Sequence, residues 1–146
     1  LHPYDKKLVA DRVFNAAMDL VYGRQAQPQP AVESIEVCGD LLRMHCVWRS
    51  RSDERIRSES RRLMTLDGDA PHEIEFLWRD CATSARAEAW LDGCDIVARM
   101  TARRPDEVRY AWSNNPESGL ICDGDGMLIP PFRLTLPTDD DKGIHA

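Results

Sequence analysis

The chain has 146 residues, enough for one domain of ordinary size, and 42% of them are hydrophobic, which supports a real core and excludes a disordered chain. A net charge of −6 gives no general reason to expect nucleic acid as a partner. No apolar stretch reaches the roughly 20 residues that a membrane-spanning helix needs, so no membrane partner is expected.

The chain opens Leu1-His2-Pro3-Tyr4-Asp5-Lys6-Lys7, without an initiator methionine or a secretory leader, and any targeting signal is expected to lie upstream. Residues 5–22 are predicted to form a helix. Leu8, Val9, Val13, Ala16, Ala17, Leu20 and Val21 follow helical spacing on a broad apolar face, while Lys7, Asp11, Asn15 and Asp19 recur every four residues on the other. Asp5 suits the N-cap and Gly23 the position just past the C-terminus. Such a face cannot be buried by the helix alone and calls for a partner surface. Gln25-Ala26-Gln27-Pro28-Gln29-Pro30 reads as an extended linker, because two prolines suit neither a helix nor a sheet interior.

After the linker the apolar period changes to two. Val32 to Val37 and Leu41 to Trp48 are predicted as strands around a Cys38-Gly39-Asp40 turn, the second with Leu42, Met44 and Cys46 on one face. Ile74, Phe76 and Trp78 alternate with charged residues, as do Ala85, Ala87 and Ala89. Asp92-Gly93 is a hairpin signal, followed by Ile96, Ala98 and Met100 on one face. Val108, Tyr110 and Trp112 close the series. The fold class expected is α+β, with one N-terminal helix followed by an antiparallel β-sandwich-like domain. The parts are a helical segment over residues 1–24, a linker over 25–30, a β-rich domain over 31–136 and an acidic tail over 137–146.

The stretch from Arg49 to Arg62 interrupts the strand pattern with six arginines and three acids. It lacks the aromatic side chains of a nucleic-acid groove and reads as a solvated loop. The five cysteines, Cys38, Cys46, Cys81, Cys94 and Cys122, have irregular spacing with no C-x-x-C pair, which argues against a zinc ribbon. The odd count leaves at least one thiol free or paired outside the chain, and one internal disulfide stays open. Cys46 reads as a small core residue.

Among residues that could carry chemistry, His2 comes first. A histidine just ahead of a helix cap can direct one imidazole nitrogen outward, as a general base for a serine must. The same residue also reads as an end residue without a role. None of the serines sits in a G-x-S-x-G elbow, so no internal triad is expected. The second candidate is Val108-Arg109-Tyr110-Ala111-Trp112-Ser113-Asn114-Asn115-Pro116. It is either a strand and loop that close the fold or a loop whose Trp and Asn residues meet a carbohydrate. His45 reads as a packing or surface residue, His72 as part of a turn and His145 as part of the tail. With no i, i+4 histidine pair and no metal-ligand spacing, no metal or other cofactor is expected. Asp123-Gly124-Asp125-Gly126 lacks the closing Glu of a calcium loop and is predicted to be a tight turn.

Both ends of the chain resemble one family. The block from His2 to Arg12 resembles the "D-x-H-P-x-[ND]-K-x-x-V-x-x-R" block of sialate O-acetylesterase-like enzymes, SGNH-type carbohydrate esterases. Val108 to Pro116, with Leu128-Ile129-Pro130-Pro131-Phe132-Arg133, resembles that family's closing "V-R-Y-A-W-x-x-N-P … L-P-A-x-P-F-R". The arginine-rich stretch and Ile129 depart from the pattern. The resemblance implies that His2 is the catalytic histidine and that its acid, the serine nucleophile and the oxyanion-hole residues lie upstream. It further implies that the helix is the last of an α/β SGNH hydrolase domain. The expected function is the C-terminal portion of a serine carbohydrate O-acetylesterase, active on sialic acid or plant-polysaccharide sugars. Its partners would be the N-terminal half of the same enzyme and an O-acetylated carbohydrate, and its location secreted or periplasmic. The other reading is a non-catalytic β-sandwich module that binds carbohydrate or braces a neighbour, in which Trp112 or Trp90 would matter more than His2.

Overall fold

A computed structural model describes residues 6–23, 27–49, 55–56, 61–81, 83–113 and 118–137. Among the described residues one helix precedes eleven strands. Helix α1 (Lys6–Leu20) ends with Val21 N–H still donating to Ala17 at 2.9 Å, and Gly23 then takes the left-handed conformation expected of a helix stop.

Strands β1 (Gln29–Cys38), β2 (Leu41–Arg49), β3 (Arg55–Ile56), β7 (Glu88–Asp92) and β8 (Asp95–Arg99) form one antiparallel sheet in the order β1-β2-β8-β7, with β3 also pairing β2. β5 (Ile74–Leu77), β6 (Ser84–Arg86), β9 (Glu107–Tyr110) and β11 (Phe132–Thr135) form the second, in the order β11-β9-β5-β6. β4 (Leu63–Thr65) and β10 (Ile121–Asp123) make a two-stranded ribbon. The inner faces share one core. Leu42, Met44, Cys46, Trp48, Ile96 and Ala98 of the first sheet meet Ile74, Phe76, Val108 and Tyr110 of the second, together with Leu63 and Ile121 of the ribbon. Each large side chain in it contributes about 1.5–3 kcal/mol by leaving water.

Four details depart from simple alternation. β1 begins at Gln29, inside the stretch read as a linker, and Pro30 pairs Trp48 while fully buried. A proline is tolerated there because β1 is an edge strand. Second, the register slips between Val32 and Ser34, so that Glu33 forms a bulge. Val32 and Ile35, an odd number of residues apart, thereby both face the core. Third, the alanine run is two strands: β6 belongs to the second sheet and β7 to the first, and between them Ala87 N–H donates to Ile74 O at 2.9 Å. Ala87 and Ala89 stay buried through this corner. Fourth, β5 ends at Leu77 rather than at Trp78, whose indole N–H donates to the Arg104 carbonyl at 3.0 Å.

The two predicted hairpins form. Cys38 pairs Leu41 around Gly39, and Asp92 pairs Asp95 around Gly93, both glycines having positive φ. All five cysteines are free thiols. Cys46 has no exposed surface, and burial pushes its thiol pKa up to about 12.

Candidate functional site: the helix and the closing strand

His2 lies outside the described residues, as do Asn114, Asn115 and His145. The element that follows His2, helix α1, is described. Its Lys7 and Asp11 pair one turn apart at 2.8 Å. Val13, Phe14, Leu20 and Val21 are all more than 60% exposed. Among the described residues of the apolar face predicted to need a partner, Val13, Leu20 and Val21 are therefore open. The helix touches the β fold elsewhere. Asn15 Nδ2 lies 3.7 Å from Met127 Sδ, and a cavity of about 290 Å³ opens between Phe14, Gln27 and Leu128.

Met127 directly follows the Asp123-Gly124-Asp125-Gly126 segment, which is a tight turn as predicted. Asp123 organises it. Its Oδ1 accepts the amides of Asp125 and Met127 at 3.0 and 2.9 Å, and its Oδ2 accepts the Trp48 indole N–H at 2.8 Å. Both carboxylate oxygens serve the fold. Arg61 lies 3.6 Å from Oδ2 and stacks over the Trp48 ring, so a cation attends the buried carboxylate.

The closing motif starts as β9. Tyr110 is buried against Phe132, ring centres 5.4 Å apart, and its hydroxyl accepts the Ile121 amide at 2.7 Å. The next residue, Ala111, has φ of 51°, a conformation that a residue with a Cβ adopts at a cost. This breaks the alternation. Trp112 does not follow Tyr110 into the core but is 50% exposed. Ser113 then bonds Glu73 at 2.9 Å.

The architecture has a known counterpart. The fold is that of part of a carbohydrate acetylesterase from Xanthomonas citri. The match has a TM-score of 0.68 at 24% identity and covers 91% of this chain and 28% of that one, so the chain spans little more than a quarter of that protein's length. No protein-family model matches the chain, and no curated protein does.

A polar cluster on the outer face of the five-stranded sheet escapes a reading of single residues. His45 stands between Asp95 (Nδ1 to Oδ1, 3.3 Å) and Glu36 (Nε2 to Oε2, 3.4 Å). Arg43 bridges Asp95 and Asp92 at 3.0 and 2.8 Å, which raises its pKa, Asp92 contributing most. His45 with Asp95 has the shape of a base and its orienting acid, and Ser34 is the register partner of His45. The arrangement is nevertheless not a triad, because the nitrogen that would serve a serine is engaged by Glu36. The cluster acts as a cross-strand brace over β1, β2, β7 and β8. His72 is half-buried in the segment before β5, with its backbone amide beside Gly119.

Proposed function

We propose that this chain is the C-terminal portion of a serine carbohydrate O-acetylesterase of the SGNH type, and that His2 is its general base. The observation that carries the reading is the combination of the His2 block, the closing block at β9 and a fold shared with a carbohydrate acetylesterase. The open apolar face of helix α1 supports it, since the last helix of a hydrolase domain packs on that domain. In the proposed mechanism an upstream serine attacks the acetyl carbonyl while His2 takes its proton. His2 returns the proton to the departing sugar oxygen. Water, deprotonated by the same histidine, then releases acetate. The substrate class is an O-acetylated sugar, with sialic acid and plant-polysaccharide units as the candidates. The β domain braces the helix that follows His2 and offers Trp112 at its surface, half-exposed beyond the turn at Ala111.

Aryl acetate hydrolysis tests this. The chain alone should be inactive, and activity should appear when it is combined with the serine-bearing half. His2→Ala should then reduce the rate by about 10⁴-fold or more. Full activity from the isolated chain, or an undiminished rate with His2→Ala, overturns the reading. Oligosaccharide binding by the isolated chain that is lost in Trp112→Ala, without any esterase activity on reconstitution, would instead identify a carbohydrate-binding module.

A further inference from the structure

The outer face of the four-stranded sheet carries an unusual row of charge. In register across it run Arg133, Arg109, Glu75 and Arg86, so that two arginines stand directly opposite each other on β11 and β9. Like charges in that relation are destabilising unless an anion lies between or beside them. The carboxylates available do not fully compensate. Arg109 is held by Glu75 at 2.7 Å and Arg133 by Glu107 at 2.6 Å. Among the described residues Arg79 meets the far oxygen of that same Glu107, at 3.5 Å, and the Thr135 hydroxyl at 3.5 Å. Asp106 is turned to the Arg79 backbone amide at 2.8 Å. Arg79, Arg109 and Arg133 thus share two carboxylates, Glu75 and Glu107, and Arg86 extends the row on β6.

Arg79, Arg109 and Arg133 line a cavity of about 360 Å³ together with Glu107, Leu77 and Trp78. Each guanidinium has five N–H donors in a planar fork, and the contacts recorded among the described residues occupy fewer than half of them on each of the three. We propose that this cavity binds the carboxylate of a uronic sugar, with the three arginines gripping the carboxylate and Leu77 and Trp78 receiving the ring. The fork geometry suits a planar carboxylate, and the volume suits a sugar ring rather than a bare ion. The site lies in the β domain and does not depend on the esterase reading.

The test is a titration of the 146-residue chain with D-glucuronate, followed through the Trp78 indole N–H resonance. Acetate, inorganic phosphate and glucose serve as comparisons. Saturable binding of glucuronate, weakened at least tenfold by Arg79→Gln and restored in part by Arg79→Lys, is the expected result. Arg79 is 64% exposed, so neither change should disturb folding. Binding should also weaken with added salt. Absence of glucuronate binding, equal binding of glucose, equal binding of acetate or phosphate, or indifference to Arg79→Gln each overturns the proposal.

Discussion

Trp48 donates its indole N–H to Asp123 at 2.8 Å, and neither residue has more than 2% of its surface exposed. The bond ties the end of β2 to the turn after β10, and that turn presents Met127 to helix α1. One buried carboxylate thus joins the core, the ribbon and the helix contact. Asp123→Ala is expected to destabilise the chain by about 2–4 kcal/mol, because three donors lose their acceptor away from water. Trp48→Phe should cost less, about 1–2 kcal/mol, since Asp123 keeps its two amides. Urea unfolding measures both, and a loss under 0.5 kcal/mol for Asp123→Ala would show that the carboxylate is not the joint.

Two glycines with similar φ should respond very differently to alanine. Gly39 and Gly119 have φ of 64° and 65°. A methyl group on Gly39 meets open space, whereas one on Gly119 would overlap the Ala70 carbonyl oxygen and come within 2.6 Å of the His72 amide nitrogen. Gly39→Ala should cost about 1–2 kcal/mol, the ordinary penalty for this conformation. Gly119→Ala should cost clearly more, because backbone atoms must also move. Equal losses in thermal unfolding would refute the close approach.

Acid should weaken the same region. The Gly119 amide, 2.8 Å from Asp67, is the main cause holding the Asp67 carboxyl below the usual carboxylate range, with the Asp69 amide adding to it. A carboxyl whose pKa is depressed on folding binds protons more tightly in the unfolded chain. Its stabilisation is therefore complete above the unfolded value, near ~3.9, and is lost as pH falls through the folded value. Glu107, lowered mainly by Arg133, acts in the same sense. Asp67→Asn should be less stable than the parent at neutral pH, and the gap should close progressively below about pH 4. A gap that stays constant down to pH 2 contradicts the assignment.

The open face of helix α1 gives a prediction of opposite character. Val13 and Val21 are 63% and 72% exposed, so Val13→Ser and Val21→Ser should change unfolding free energy of this chain by less than about 0.5 kcal/mol. Together they should reduce binding of an apolar fluorescent dye by the chain and, under the proposed function, weaken its association with the serine-bearing half. A large destabilisation would mean that the face is already buried against the β domain.

Much of this molecule was legible in one dimension. The change of period from 3.6 to two separates helix from strands, and Gly23, Gly39 and Gly93 stop the helix and turn two hairpins because local backbone geometry alone requires them. The core faces of β2 and β8 follow from alternation. What alternation could not supply depends on which strands become neighbours. The bulge at Glu33 appears only when Val32 and Ile35 must both reach the core beside β2. The division of the alanine run at Ala87 appears only when its two halves are claimed by different sheets. Ala111 turns Trp112 to the surface once β9 is held between β5 and β11. His45 gains Asp95 and Glu36, and Arg109 gains Arg133, across strands distant in sequence. The sequence by itself determined the helix, the strands β1, β2, β5, β8 and β9 with their apolar faces, and the paired end motifs on which the proposed function rests, whereas β3, β4, β10 and β11, of two to four residues each, were not read from it. Only the tertiary structure decided which charged residues share a face, which aromatic residues stay exposed and where a carboxylate is locked in the core, because each of these is set by long-range pairing and not by the local chain.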